Sequence, residues 1–182
     1  MNGAYATYMA DILVITTGGT IDKVYFDAKS DFEVGDSVVE ELLREAHVGI
    51  SYQIVELMRK DSLELTDADR EQVRMAIEQA PSPGQRVVIT HGTDTMTETA
   101  QAIAETVRAL QATVVLTGAL SPARFAHSDA TFNVGMAFAT AQSAGPGIYI
   151  VMNGQVFDGL AVRKDRAQNR FISLAGEGRE KS

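Results

Sequence analysis

The chain has 182 residues, 45% of them hydrophobic and 22% charged, a mixture that suits one globular domain at roughly 100–200 residues per domain and excludes disordered, collagen-like and coiled-coil classes. Lys and Arg number 16 against 24 Asp and Glu, a net charge of −8 dispersed along the chain, so nucleic acid and anionic membrane are excluded as partners for want of a basic face. No cysteine is present and the three histidines, His47, His91 and His127, form no His-x-x-x-His pair, so disulfides, thiolate catalysis and a metal site are not expected, nor is any other cofactor.

In chain order, Met1–Ala10 carry no basic segment and no apolar run; they read as an N-terminal extension (1–10) to a single domain over 11–182. With no leader pattern and no apolar stretch of ~18 residues, the reading is a cytoplasmic protein. Ile12-Leu13-Val14-Ile15 is β-branched without polar alternation, as are Val87-Val88-Ile89, Val114-Val115-Leu116 and Ile148-Tyr149-Ile150-Val151, the pattern of parallel strands covered on both faces. Ser37-x-x-Glu40 predicts a helix start, with Val39, Leu42, Leu43 and Ala46 inward and Gly49 at the end, and a further strand fits Tyr52–Leu57. Thr66-x-x-Asp69 predicts a capped helix burying Val73, Ala76, Ile77 and Ala80 before Pro81. Met96, Ala100, Ile103, Val107 and Leu110 recur at steps of four and three as one amphipathic helix, and Asp129–Gln142 is apolar nearly all round, a buried helix or interface material. The alternation predicts an α/β fold: a three-layer, Rossmann-like arrangement with a mostly parallel sheet and helices on both faces.

In such sheets ligands bind beyond the carboxyl ends of the strands. There the first strand runs into Thr16-Thr17-Gly18-Gly19-Thr20-Ile21 and another into Thr90-His91-Gly92-Thr93-Asp94-Thr95, directly before a helix. Glycine lets backbone approach a ligand, and a helix start favours a carboxylate or an oxyanion. Thr93 and Asp94 are equally suited to capping that helix, and His91 to orienting a neighbour by hydrogen bonding. Arg124 and His127, in the loop Ser121–Ser128, read as structural. The nucleotide and hydrolase loops G-x-x-x-x-G-K-[ST], G-x-G-x-x-G after the first strand, and G-x-S-x-G do not occur.

Thr17-Gly18-Gly19-Thr20-Ile21 together with His91-Gly92-Thr93-Asp94-Thr95 resembles the paired signature of the bacterial-type L-asparaginases. Asp61-Ser62 resembles that family's substrate-binding serine turn, and Val151-Met152-Asn153, followed by Asp158-Gly159 and Lys164, resembles the stretch that delivers its catalytic lysine. The four blocks, in order, span Asp11 to Lys164.

The resemblance implies the asparaginase N-terminal domain and hydrolysis of L-asparagine to L-aspartate and ammonia through a threonine acyl-enzyme, with weak or no glutaminase activity. It implies Thr20 as nucleophile, Thr93, Asp94 and Lys164 as a triad, and Gly19, Asp61, Ser62, Gly92, Thr93 and Asp94 as the substrate-binding set. Ser62 takes the α-carboxylate, Asp94 the α-ammonium group, and a homo-oligomer is expected. A threonine hydroxyl needs a partner to accept its proton, which in a chain without cysteine leaves lysine and tyrosine. Longer members carry a tyrosine where Phe32 stands, in Ser30-Asp31-Phe32-Glu33-Val34-Gly35, so Tyr25, brought back on a hairpin-like flap over Ile21–Gly35 to within ~3 Å of Thr20, is the expected activator. Family members continue into a C-terminal domain, whereas this chain ends at Ser182 and carries Leu63 where a polar residue is common; looser substrate binding is expected. A catalytically weak amino-acid-binding module is the alternative, and an ammonia-supplying amidotransferase subunit a third.

Overall fold

The computed structural model describes residues 10–26, 31–79 and 84–174. Apart from Ala10, the extension predicted over 1–10 lies outside the described residues, as do Ser30, Ala80 and Pro81. The elements are β1 (Ile12–Gly18), β2 (Lys23–Phe26), β3 (Asp31–Val34), α1 (Val39–Glu45), β4 (Tyr52–Lys60), α2 (Asp67–Glu78), β5 (Arg86–Thr90), α3 (Met96–Ala102), α4 (Ala104–Leu110), β6 (Thr113–Thr117), α5 (Ala130–Ser143), β7 (Gly147–Met152), β8 (Gln155–Asp158), β9 (Val162–Asp165) and β10 (Arg170–Ser173).

A six-stranded sheet of order β4-β1-β5-β6-β7-β8 forms the centre. Its first five strands are parallel and β8 turns back antiparallel on β7. Because side chains alternate across a strand, Leu13, Ile15, Val87, Ile89, Val114 and Leu116 pack with α2, α3 and α4 through Val73, Ile77, Met96 and Val107. Ile12, Val14, Val88 and Val115 face the other way, onto Leu42 and Leu43 of α1 and Val134 and Phe138 of α5. The three-layer α/β expectation is therefore met. β2 pairs with β3, and β9 with β10, in two separate two-stranded sheets.

Local departures have identifiable causes. The helix predicted over Met96–Leu110 is interrupted at Ile103, yet the Ile103 N–H still bonds Thr99 O and the Val107 N–H bonds Ile103 O, so both halves keep one buried stripe. α1 does not begin with a Ser37–Glu40 box. Its N-cap is Val38, whose N–H donates to Asp22 Oδ1 at 3.0 Å, while the Ser37 hydroxyl accepts from Val39 at 3.4 Å. The helix also ends sooner than Gly49: Ala46 is its exposed C-cap, and His47 takes the left-handed conformation at φ 50°. Around α5 the buried side holds Val134 and Phe138, whereas Phe132 is 61% exposed, so the helix is core on one side only. The α2 capping box forms as the spacing predicts: the Thr66 hydroxyl accepts from Asp69 N, and the Thr66 N–H donates to the Asp69 carboxylate. Lys60 first, then Thr66, hold that carboxyl down at about 2.

Thr66→Ala removes the hydroxyl that receives the Asp69 N–H and is expected to cost about 1 kcal/mol, read as a lower Tm or urea midpoint. Burial pushes the Asp22 carboxyl up to about 6 against the opposing bonds from Val38 and Ser37. A carboxyl raised in the folded state binds its proton longer there than in the unfolded chain, so this group lowers stability as pH rises from about 4 to about 6 and adds no slope above. Asp22→Asn keeps an acceptor for Val38 and removes that fall, which a urea titration series across the window measures.

Candidate active site

The site is assembled where β1 and β5 end. β1 runs into Gly18 and Gly19, with φ 94° and 87°, a backbone region that side chains other than glycine disfavour. A Cβ at Gly19 meets Gly92 N at 2.4 Å, and a Cβ at Gly92 meets the Ser62 side chain at 2.6 Å. The turns after β1 and β5 therefore touch backbone to backbone, and the second of them rests on the Ser62 side chain. Thr20 and Thr93 are the residues that follow the two contacting glycines. Thr20 opens a short 3-10 turn (Thr20–Asp22) and is partly exposed.

Lys164 closes the set. On β9 it is paired in register with Phe171 and stands two residues from Val162, both of which belong to the main core. The three side chains share one face of the small sheet, which turns the lysine inward. Its Nζ donates to Thr93 Oγ1 at 2.7 Å and Asp94 Oδ1 at 2.9 Å, with the lysine side chain 10% exposed. Arg166 reaches Asp94 more loosely, at 3.8 Å. Thr93 and Asp94 thus serve Lys164; α3 opens at Thr95 without a side-chain cap bond.

The Ser62 turn is held from both sides. The Thr95 hydroxyl donates to Ser62 O at 2.8 Å, and Asp61 Oδ1 accepts from Leu63 N at 3.1 Å. Lys23, the first residue of β2, forms an ion pair of 2.8 Å with Asp61 Oδ2. Burial alone would raise the Asp61 carboxyl, but Lys23, the Leu63 N–H and the charge of Lys164 outweigh it and hold it below the ordinary carboxylate range. Ser62 itself is 2% exposed. Lys23 and Thr95 carry no local signal for this role, because each meets its partner only through tertiary packing.

His91 is an internal strut. Burial first, with the Arg70 charge, pushes its imidazole down to about 4. The neutral ring donates from Nδ1 to Gly92 O at 2.7 Å, since a carbonyl only accepts, and its Nε2 receives the Thr99 hydroxyl at 2.8 Å.

Tyr25 lies on the expected hairpin, directly opposite Phe32. The two rings meet edge-on at 5.2 Å and Phe32 lies 5.9 Å from Phe125, leaving Tyr25 48% exposed. Among the described residues no hydrogen bond joins its hydroxyl to Thr20. Lys164 meets Thr93 and Asp94, Gly19 meets Gly92, and Gly92 meets Ser62, which follows Asp61, while Tyr25 stands on the hairpin. No helix among the described residues is long and apolar enough to cross a membrane.

The chain is similar to known proteins over most of its length. L-asparaginase 2 of Escherichia coli is 34% identical over 169 residues, covering 87% of this chain and 47% of that protein. A glutamyl-tRNA(Gln) amidotransferase subunit of Saccharolobus islandicus is 32% identical over 178 residues, covering 88% and 39%. The structure of a probable cytoplasmic L-asparaginase from Campylobacter jejuni superimposes with a TM-score of 0.78 at 26% identity, covering 90% of this chain and 53% of that one. The chain spans about half the length of the L-asparaginases it matches. Residues 11–172 match the asparaginase N-terminal domain profile, and the chain belongs to the asparaginase family.

Proposed function

We propose that the chain hydrolyses L-asparagine to L-aspartate and ammonia through an ester on Thr20. The observation that carries this reading is the Lys164–Thr93–Asp94 cluster set against the turn that bears Thr20. Ser62 receives the α-carboxylate and Asp94 the α-ammonium group, which aligns the carboxamide with the Thr20 hydroxyl. Thr20 Oγ attacks the carboxamide carbon while its proton passes to a nearby acceptor. Backbone N–H groups near Thr93 stabilise the oxyanion. The C–N bond breaks, ammonia leaves with a proton, and water then cleaves the Thr20 ester. Tyr25 is the acceptor in this scheme; catalytic hydrogen bonds often tighten only when substrate is bound. Lys164 acting through Thr93 is the other candidate. Glutamine, longer by one methylene, displaces its carboxamide from Thr20 when the same α-groups are anchored.

A second reading, an ammonia-supplying subunit, draws on the amidotransferase relative; a catalytically weak binding module of the same fold is a third. Steady ammonia release from asparagine by the isolated chain separates the hydrolase from the binding module. In that assay Thr20→Ala and Lys164→Met are each expected to lose roughly 10³-fold or more with the double variant little worse, and glutamine is expected to turn over more slowly than asparagine. Tyr25→Phe is expected to lower kcat by ~10²-fold; unchanged turnover would move the proton-accepting role to Lys164.

A homo-oligomer is part of the proposal. Phe132, 61% exposed on α5, stands beside the β7–β8 turn, 3.6 Å from a Cβ placed on Gly154, and an exposed apolar ring of that size suits an interface. Light scattering is expected to give at least twice the 19.6 kDa of one protomer, and Phe132→Ser to lower that mass; a monomer at working concentration refutes it.

A further inference from the structure

Resting on the assignment of Ser62 to the α-carboxylate and Asp94 to the α-ammonium group, we propose that the site also deamidates asparagine at the N-terminus of a peptide, with the second residue of the peptide seated in the cleft between the β2–β3 hairpin and the Ser62 turn. That cleft, of about 430 Å³, is lined by Lys23, Phe32, Val34, Arg59, Asp61 and Leu63 among others. Its size falls within the roughly 300–1,000 Å³ of clefts that hold molecules larger than one amino acid. It adjoins the reacting groups. The Lys23 N–H donates to Thr20 O, Asp61 immediately precedes Ser62, and Asp61 lies within the field of Lys164.

The lining fits a peptide extension better than solvent. Leu63 is 66% and Phe32 41% exposed, and with Val34 they give the cleft an apolar wall. Apolar side chains gathered at the mouth of a site mark a binding surface. Within the polar wall Lys23 pairs with Asp61, and Arg59 with Asp36 and Glu56, and Glu33 and Glu64 also line it. An uncharged peptide group passes Ser62 without adding a further charge to that wall. The Ser62 hydroxyl donates to a peptide carbonyl as it does to a carboxylate, so amidation of the α-carboxyl leaves that contact in place. Recognition of a free ammonium group by Asp94 confines the reaction to the first residue. Only the C–N bond of the carboxamide is exchanged: its acyl group passes to Thr20 Oγ, ammonia departs, water splits the ester, and an N-terminal aspartate remains with the peptide bond intact.

The test compares ammonia release from L-asparagine, L-asparaginyl-L-leucine and its N-acetyl derivative, with mass spectrometry to place the new acid on the intact dipeptide. Burying a leucine side chain against the apolar wall is expected to raise kcat/KM for the dipeptide about tenfold over free asparagine, and the acetylated dipeptide to be inert. Leu63→Ala, which shortens the apolar wall at an exposed position without supplying a polar group, is expected to bring the ratio of the two kcat/KM values to about one, with the circular dichroism spectrum as the check on folding. Turnover of asparagine with none of the dipeptide overturns this inference and leaves the asparaginase reading standing. A dipeptide preference unmoved by Leu63→Ala overturns the cleft as its origin, and ammonia from neither substrate overturns the asparaginase reading and this inference together.

Discussion

The close approach of Gly19 to Gly92 is the constraint on which the candidate site depends. Parallel neighbours in a sheet are separated by the ladder spacing of roughly 4.8 Å, and turns that leave two such strands usually diverge because side chains keep them apart. Here the turns after β1 and β5 lack a Cβ at the point of contact, where one would stand 2.4 Å from backbone nitrogen. The same absence recurs one layer on, where Gly92 rests on Ser62. Three chain segments from distant parts of the sequence thus close on one another at Gly19, Gly92 and Ser62.

Polar contacts then orient what the glycines bring near. His91 ties the turn after β5 to α3 through Gly92 and Thr99, and Thr95 ties the start of α3 to Ser62. Lys23 and Asp61 join the hairpin to the Ser62 turn, and Asp22 joins the 3-10 turn of Thr20 to the start of α1. These ties are an ion pair, bonds to backbone groups and one bond between side chains, His91 with the Thr99 hydroxyl, at the carboxyl end of the sheet, where regular hydrogen bonding has run out. Lys164 arrives by a different route. A small sheet anchored by Val162 and Phe171 in the main core projects the lysine between Thr93 and Asp94. A flexible side chain is thereby held by the packing of its neighbours rather than by its own rotamer preference.

Much of this architecture was legible along the chain because its signals are local. Unbroken β-branched runs at Ile12–Ile15, Val87–Ile89, Val114–Leu116 and Ile148–Val151 mark strands buried on both faces, and every one lies in the parallel part of the sheet. The Thr66–Asp69 box and the stripe from Met96 to Val107 depend on residues within a turn or two of each other, so spacing is enough to find them. The glycine-threonine turns were visible for the same reason, and with them the neighbourhood of the site. Only the tertiary structure decided which residues meet there. Strand order, the donation of Lys164 to Thr93 and Asp94, the Lys23–Asp61 pair and the replacement of the Ser37 cap by Asp22 all join residues that are remote in sequence. A charged or hydroxyl-bearing side chain has many possible partners in an extended chain, and burial of the apolar sheet faces, by fixing which strand ends lie side by side, leaves it one.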